Sequence, residues 1–329
     1  MMNRRTFIGQ VAGSLLAVPF ATEAQQAARL PRIGVLLAGN AGAGTEGLRL
    51  GFRELGYVEG HTAVIDWRWW EGKPERLHDA AADMVRLNPD VIVVGGSEAT
   101  KAMKGATRSI PIVFMGPSYP VEEGLVESFA RPGGNITGVT VAQSDHVAKL
   151  LQLLLDVTPS LSNVGVIWSP ANPGNTFTLR DMEMAARSLN LKVLPVAMVN
   201  DADVESALAV ITRARPSGLI VLPTQILNQV ESISVGRIGE LTIRLRIPSI
   251  TASKALMERG LLMSYGADPR DVQRRIPSYV DRILKGAKPA DMPVERPTRF
   301  ELGINMKTAK AIGLAIPNSL LLRADAVIQ

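Results

Sequence analysis

No cysteine occurs among the 329 residues. That excludes disulfide frameworks, thiolate metal sites, iron–sulfur clusters, a cysteine nucleophile and the lipid-bearing cysteine of a lipoprotein. Histidine is nearly as scarce: His61, His78 and His146 do not pair on one helical face, so a local H-E-x-x-H zinc motif is excluded too. Aromatic residues are 5% of the chain, and the 36 basic and 31 acidic residues are scattered. The cationic stripe interleaved with stacking rings that a nucleic-acid binder needs is therefore missing. The densest basic group, Arg237, Arg244 and Arg246, alternates with Ile238, Leu241 and Leu245, as the solvated face of an amphipathic helix does. No G-x-S-x-G elbow occurs, and spacing brings no two carboxylates together. What is present is a 46% hydrophobic chain, long enough for two lobes of ordinary size. Its composition favours binding over catalysis, with no metal and no cofactor.

Residues 1–24 read as a cleaved secretory signal. Arg4-Arg5 precedes an uncharged stretch and the small-residue exit Thr22-Glu23-Ala24, a pattern that suits twin-arginine export and a mature chain beginning near Gln25. The apolar part, interrupted by Pro19, falls short of the ~20 residues of a membrane span, and no later run reaches that length. The expected location is the periplasm.

Beyond the signal, short β-branched runs alternate with helical patterns, which predicts an α/β fold with parallel sheets. One series places strands at 32–37, 62–69, 91–94 and 112–114, with helices to Leu55, over 74–87 and over 97–107 between them. A second series places strands at 164–168, 192–196 and 219–222, with helices near 145–155, 177–189 and 203–213. The series resemble one another: a helix with Leu77, Ala81, Met84 and Val85 on one face leads through Asn88-Pro89 into a buried strand, and one with Val204, Leu208 and Ile211 leads through Arg215-Pro216 into another. Two Rossmann-like lobes account for this. In the tail, 261–266 reads as a strand and 268–285 as an amphipathic helix kinked at Pro277. Pro289, Pro293 and Pro297 then hold an extended stretch before 300–306.

Polar residues gather where the predicted strands end, the place at which open α/β sheets bind ligands. They are Asn40, Thr45, Ser97, Thr100, Ser118, Tyr119, Asn172, Asn175, Thr224, Gln225 and Asn228. Ser97 and Thr100 fall in the first turn of a helix, whose free N–H groups suit a carboxylate, although the same residue types also cap helices. Glu98, Glu122 and Glu123 can face a ligand ammonium or simply solvent. Tyr119 and Trp168 can stack on a flat ligand, and Trp168, like Trp67, Trp69 and Trp70, can equally pack in the core. The loop Gly39 to Thr45 has glycines as G-x-x-G-x-G, and Asp66 follows about twenty residues after the loop. This leaves open an alternative, a nucleotide-dependent oxidoreductase using that loop.

Several stretches resemble the ABC-transporter substrate-binding proteins related to the tryptophan- and tyrosine-binding family. They are Gly51-Phe52-Arg53-Glu54-Leu55-Gly56-Tyr57, Arg131-Pro132-Gly133-Gly134-Asn135-Ile136-Thr137-Gly138-Val139, Asn172-Pro173, Gly260 to Gly266, Tyr279 to Val294, Phe300-Glu301-Leu302, Asn305 and Thr308-Ala309-Lys310. The likeness covers nearly the whole mature chain. It implies a type I periplasmic-binding-protein fold that closes by a hinge on a small molecule and delivers it to a membrane permease, acting as a monomer. Lobe 1 would hold 30–140 with 268–293 and lobe 2 would hold 146–262 with 300–329, with crossings near 137–145, 262–269 and 294–304. It also implies ligand contacts at Asn40, Ser97, Gly116 to Tyr119, Thr140, Asn172, Thr224 and Tyr265. Where such proteins often read Gly-Asp-Pro-Val, this chain has Ser118-Tyr119-Pro120-Val121. If that acid recognises an amine, its loss points away from an ordinary amino acid. A receptor domain that signals ligand status to a membrane sensor would share all of these features.

Overall fold

The computed structural model describes residues 29–39, 45–141, 144–224, 227 and 233–329. The stretch read as a secretory signal and most of the glycine loop, Asn40 included, lie outside the described residues, as do Gln225 and Asn228.

The β-branched runs become two sheets. The first has the order β2-β1-β3-β4-β5, formed by β1 (Arg32–Leu37), β2 (Val64–Trp69), β3 (Val91–Gly95), β4 (Ile112–Met115) and β5 (Ile136–Val139), all parallel. The second has the order β12-β11-β10-β9-β8-β6-β7, from β6 (Asn163–Trp168), β7 (Lys192–Ala197), β8 (Gly218–Val221), β9 (Ser249–Thr251), β10 (Met263–Ala267), β11 (Phe300–Asn305) and β12 (Ala326–Ile328). Central strands such as β3 and β8 are buried along almost their whole length, because helices cover both faces.

In the first lobe, α1 (Glu46–Glu54) and α9 (Pro269–Leu284) cover one face, with Leu48, Phe52, Ile276 and Tyr279 on Ile33 and Val35. α2 (Pro74–Arg86) and α3 (Ser97–Ala106) cover the other through Leu77, Ala81, Met84 and Met103. In the second lobe, α4 (Ser144–Val157), α5 (Pro173–Ser188) and α10 (Met306–Ile312) lie on one face. α6 (Val204–Ala214), α7 (Ile233–Leu245) and α8 (Lys254–Glu258) lie on the other, and α11 (Asn318–Leu321) precedes β12. α9 continues across Pro277 as one element, its proline ring facing Gly51 of α1.

The chain passes between the sheets three times: after Val139, after Ala267, and between Met292 and Phe300. The second sheet departs from the all-parallel expectation here. β10 leaves towards α9 in the first lobe and β11 returns beside it, so this pair is antiparallel. Two passages are tied together, since the Glu295 amide donates to the Gly138 carbonyl at 3.0 Å and the Thr140 amide to the Glu295 carbonyl at 2.9 Å. At the same place His146, Tyr265 and Phe300 stack with ring centroids 5.2–5.6 Å apart. His146 Nε2 lies 2.5 Å from the Tyr265 carbonyl and must carry the proton there, because a carbonyl only accepts. Burial holds this imidazole below its ordinary pKa.

Candidate ligand-binding site

Beyond the carboxyl ends of the parallel strands, a cavity of about 440 Å³ opens between the lobes. Small-molecule sites occupy roughly 300–1,000 Å³. Its first wall comes from the first lobe. After β2 the chain turns through left-handed Glu71 (φ 56°) and Gly72 (φ 64°), which lets Pro74 open α2. Trp70, Gly72, Leu77 and His78 of this turn and helix line the cavity, joined by Glu98, Lys101 and Ala102 of α3. The second wall comes from the loops after β6, β7 and β8, through Ser169, Ala171, Pro173, Val199 and Thr224. Glu98 and Lys101 are three residues apart and so share one face of α3. Lys101 is exposed and forms no ion pair among the described residues. An apolar chamber with one cation and one anion on the same wall can hold a compact molecule that carries both charges.

The residues expected at the site fall into three groups. Thr224 is in the wall, its Oγ1 accepting from the Leu227 amide at 3.1 Å. Asn172 sits between two wall residues, but its Oδ1 accepts from the Gly174 amide at 3.0 Å and so caps α5. Ser97 adjoins Glu98, yet its hydroxyl donates to Glu123 Oε1 at 3.0 Å. Thr100, expected to offer a ligand contact, is fully buried and donates to the Gly96 carbonyl. Thr140 is likewise buried, its hydroxyl 3.3 Å from the Glu295 carbonyl at the tied passages. Trp168 packs against the second lobe's core, and Tyr265 belongs to the aromatic stack at the passages. Gly116 (φ 119°) donates its amide to the Val139 carbonyl, and Ser118 is half-buried away from the cavity wall. Asp66, the acid about twenty residues after the glycine loop, is taken up at 2.6 Å by Arg32 from the neighbouring strand.

Comparison with known proteins decides the family. The sequence profile of the ABC transporter substrate binding proteins matches residues 36–328. The chain belongs to this family. It is 25% identical over 263 residues to a tyrosine-binding protein of Clostridioides difficile (strain R20291), covering 79% of this chain and 74% of the relative. A conserved domain protein of Vibrio cholerae superposes with a TM-score of 0.84 at 25% identity, over 91% of this chain and all of the other. An ABC domain of Streptococcus pneumonia, crystallised with L-Trp, superposes with a TM-score of 0.82 at 25% identity, over 91% and 99% of the two chains. The fold is that of the type I periplasmic binding proteins, its two sheets forming the two lobes. Members of the family bind substrates and are not enzymes. Their partners are a small molecule and a transporter, and they act outside the cytoplasm. Among the described residues no helix is long and apolar enough to cross a membrane.

In this member of the substrate-binding family the lobes also meet outside the cavity. Glu123, in the loop after β4, reaches the start of α5 so closely that a Cβ on Gly174 would stand 2.9 Å from its Oε1. Far from being a solvated charge, Glu123 has a buried Oε2 with no hydrogen-bond partner among the described residues, and the buried Nδ2 of nearby Asn175 likewise has none. Burial pushes the Glu123 carboxyl up to about 7, against the lowering effect of the Ser97 hydroxyl and of Lys101. Ser97, in the first turn of α3 where a ligand carboxylate is expected, thus engages a carboxyl of the protein itself through its hydroxyl. Sequence reasoning missed the α2 part of the cavity, Leu77 and His78, and also Lys101. The signal was available in Glu71-Gly72-Lys73-Pro74, a strand-to-helix turn at the end of β2.

Proposed function

We propose that this chain is the solute-binding component of an ABC importer, exported by its N-terminal segment, and that its interlobe cavity captures an amino-acid-like zwitterion with a flat or apolar side chain. The observation that carries this reading is the cavity itself: apolar on both sides, with Lys101 and Glu98 one helical turn apart on a single wall. Lys101 would take the ligand carboxylate and Glu98 its ammonium, standing in for the acid that Ser118-Tyr119 lacks. The tyrosine-binding relative and the L-Trp complex support an aromatic side chain. The three passages support hinge closure of a monomer, with lobe 1 holding 30–140 and 268–293 and lobe 2 holding 146–262 and 300–329. Contacts from both walls would then shift an open–closed equilibrium.

Calorimetric titration of the chain from Gln25 against L-tryptophan, L-tyrosine, indole-3-propionate, tryptamine, a sugar and NAD tests the reading. Binding of the amino acids, with loss on removing either the amine or the carboxylate, is the expected outcome. Binding of the acid alone, the amine alone, or NAD would overturn the zwitterion assignment. Lys101→Met should weaken amino-acid binding about tenfold or more, the loss typical of a charge-assisted hydrogen bond.

A further inference from the structure

Tyr119 was expected to stack on a ligand, but the structure gives its ring and its hydroxyl to the opposite lobe. It stands in the loop after β4, followed by Pro120, which confines its backbone to extended conformations and limits the loop's freedom. From there it crosses to α5. The phenol donates to Asp181 Oδ2 at 2.8 Å, and its ring lies 5.7 Å from that of Phe177, tilted by 36°. Tyr119 and Asp181 are 6% and 9% exposed. Arg180 holds the other carboxylate oxygen at 2.9 Å and sets its guanidinium 5.4 Å from the Phe177 ring. None of these four residues lines the cavity.

We propose that the Tyr119–Asp181 pair is a latch that sets the fraction of closed molecules, and with it the affinity for every ligand by one common factor. Tyr119 is then a positioning residue that does not read the ligand. The hydroxyl and the carboxylate are on different lobes, so opening the cleft breaks their hydrogen bond and returns both groups to water. Closing restores a bond whose donor and acceptor are shielded. Because a two-lobed binder holds ligand only when closed, its apparent affinity scales with the closed fraction. The proposal rests on the reading of the cleft as the binding site, but its first test needs no ligand.

The chain lacks cysteine, so Asp79→Cys on α2 and Met184→Cys on α5, both exposed positions, carry spin labels nowhere else. Electron–electron distance measurement on this ligand-free chain should show the ratio of long to short separations rising about tenfold with Tyr119→Phe, the size of one hydrogen bond to a charged acceptor. Asp181→Leu should match it, and Asp181→Asn, which keeps an acceptor but not its charge, should shift the ratio by less. Unchanged distributions in both Tyr119→Phe and Asp181→Leu would overturn the latch. In titrations, the dissociation constants of Tyr119→Phe for L-tryptophan and L-tyrosine should rise by the same factor. A loss confined to one of them would overturn the proposal, because Tyr119 would then be reading the ligand. If neither amino acid binds the parent chain, the substrate assignment fails while the distance measurement still decides the latch.

Discussion

Glu123 shows how a residue's sequence neighbourhood can mislead. Glu122-Glu123 reads as solvated charge, yet the fold brings the second carboxyl between Ser97 and the start of α5. No local pattern could announce this, since the partners lie 26 residues upstream and about fifty downstream. A pH dependence follows. Below its ordinary value of 4.5 the carboxyl is neutral in both folded and unfolded chains; between that and about 7 the unfolded chain loses its proton first. The stabilisation from the neutral carboxyl is therefore complete at low pH and lost as pH rises through about 7. Glu123→Gln should match the wild-type melting temperature near about pH 4 and exceed it near about pH 8. Melting curves that stay parallel across this range would refute the assignment. Ser97, Thr100 and Thr140 teach the same lesson in reverse. Their residue type and position matched a ligand shell, but each hydroxyl is engaged by backbone or by Glu123. A sequence shows where polar groups can gather, not which of them the fold satisfies internally.

At the level of elements the sequence was far more legible, because strands buried on both faces and helices with one apolar face leave long periodic traces. The two series legible in the sequence share a packing detail in three dimensions. In β1, Gly34 faces Pro89, with 3.4 Å from a built Cβ to the ring, and in β6, Gly165 faces Pro216 at 3.1 Å. Short β5 and β9 carry no unbroken apolar run in the sequence, since Thr137 and Gly138 interrupt the first and Ser249 and Thr251 flank a single isoleucine in the second. The start of α5 was placed too late, at 177 instead of Pro173, because Asn172-Pro173 was read as ligand loop and not as cap and first turn. Asn172→Ala should cost about 1 kcal/mol of folding stability in chemical denaturation, the usual loss for an N-cap. Gly174→Ala tests the same end of α5 differently. Its Cβ would stand 2.9 Å from Glu123 Oε1 and 3.3 Å from Ser97 Oγ, so the seam must yield. Dissociation constants for L-tryptophan should rise with it, and equal affinity would show that the seam accommodates a methyl group freely.

For the molecule as a whole, three chain passages and the seam join two lobes that each have their own core. A ligand held by both walls should stabilise the entire chain. At a thousand times its dissociation constant it adds about 4 kcal/mol, and calorimetry should show one transition moving upwards. Two separate transitions, with only one responding, would mean that a single lobe does the binding. The family resemblance was readable across nearly the full chain, while the cavity wall was only half readable, since its first-lobe side is built by helix positions that carry no distinctive motif. The strand orders β2-β1-β3-β4-β5 and β7-β6-β8-β9-β10 are the same order written twice. The loop after β3 is therefore the topological counterpart of the loop after β8. Two walls lined alike would accept a molecule equally well in two orientations reversed end for end. Glu98 and Lys101 line the first wall, whereas among the described residues no charged side chain lines the opposite wall, where Thr224 stands, and so the two walls offer unlike partners to the two ends of an asymmetric ligand.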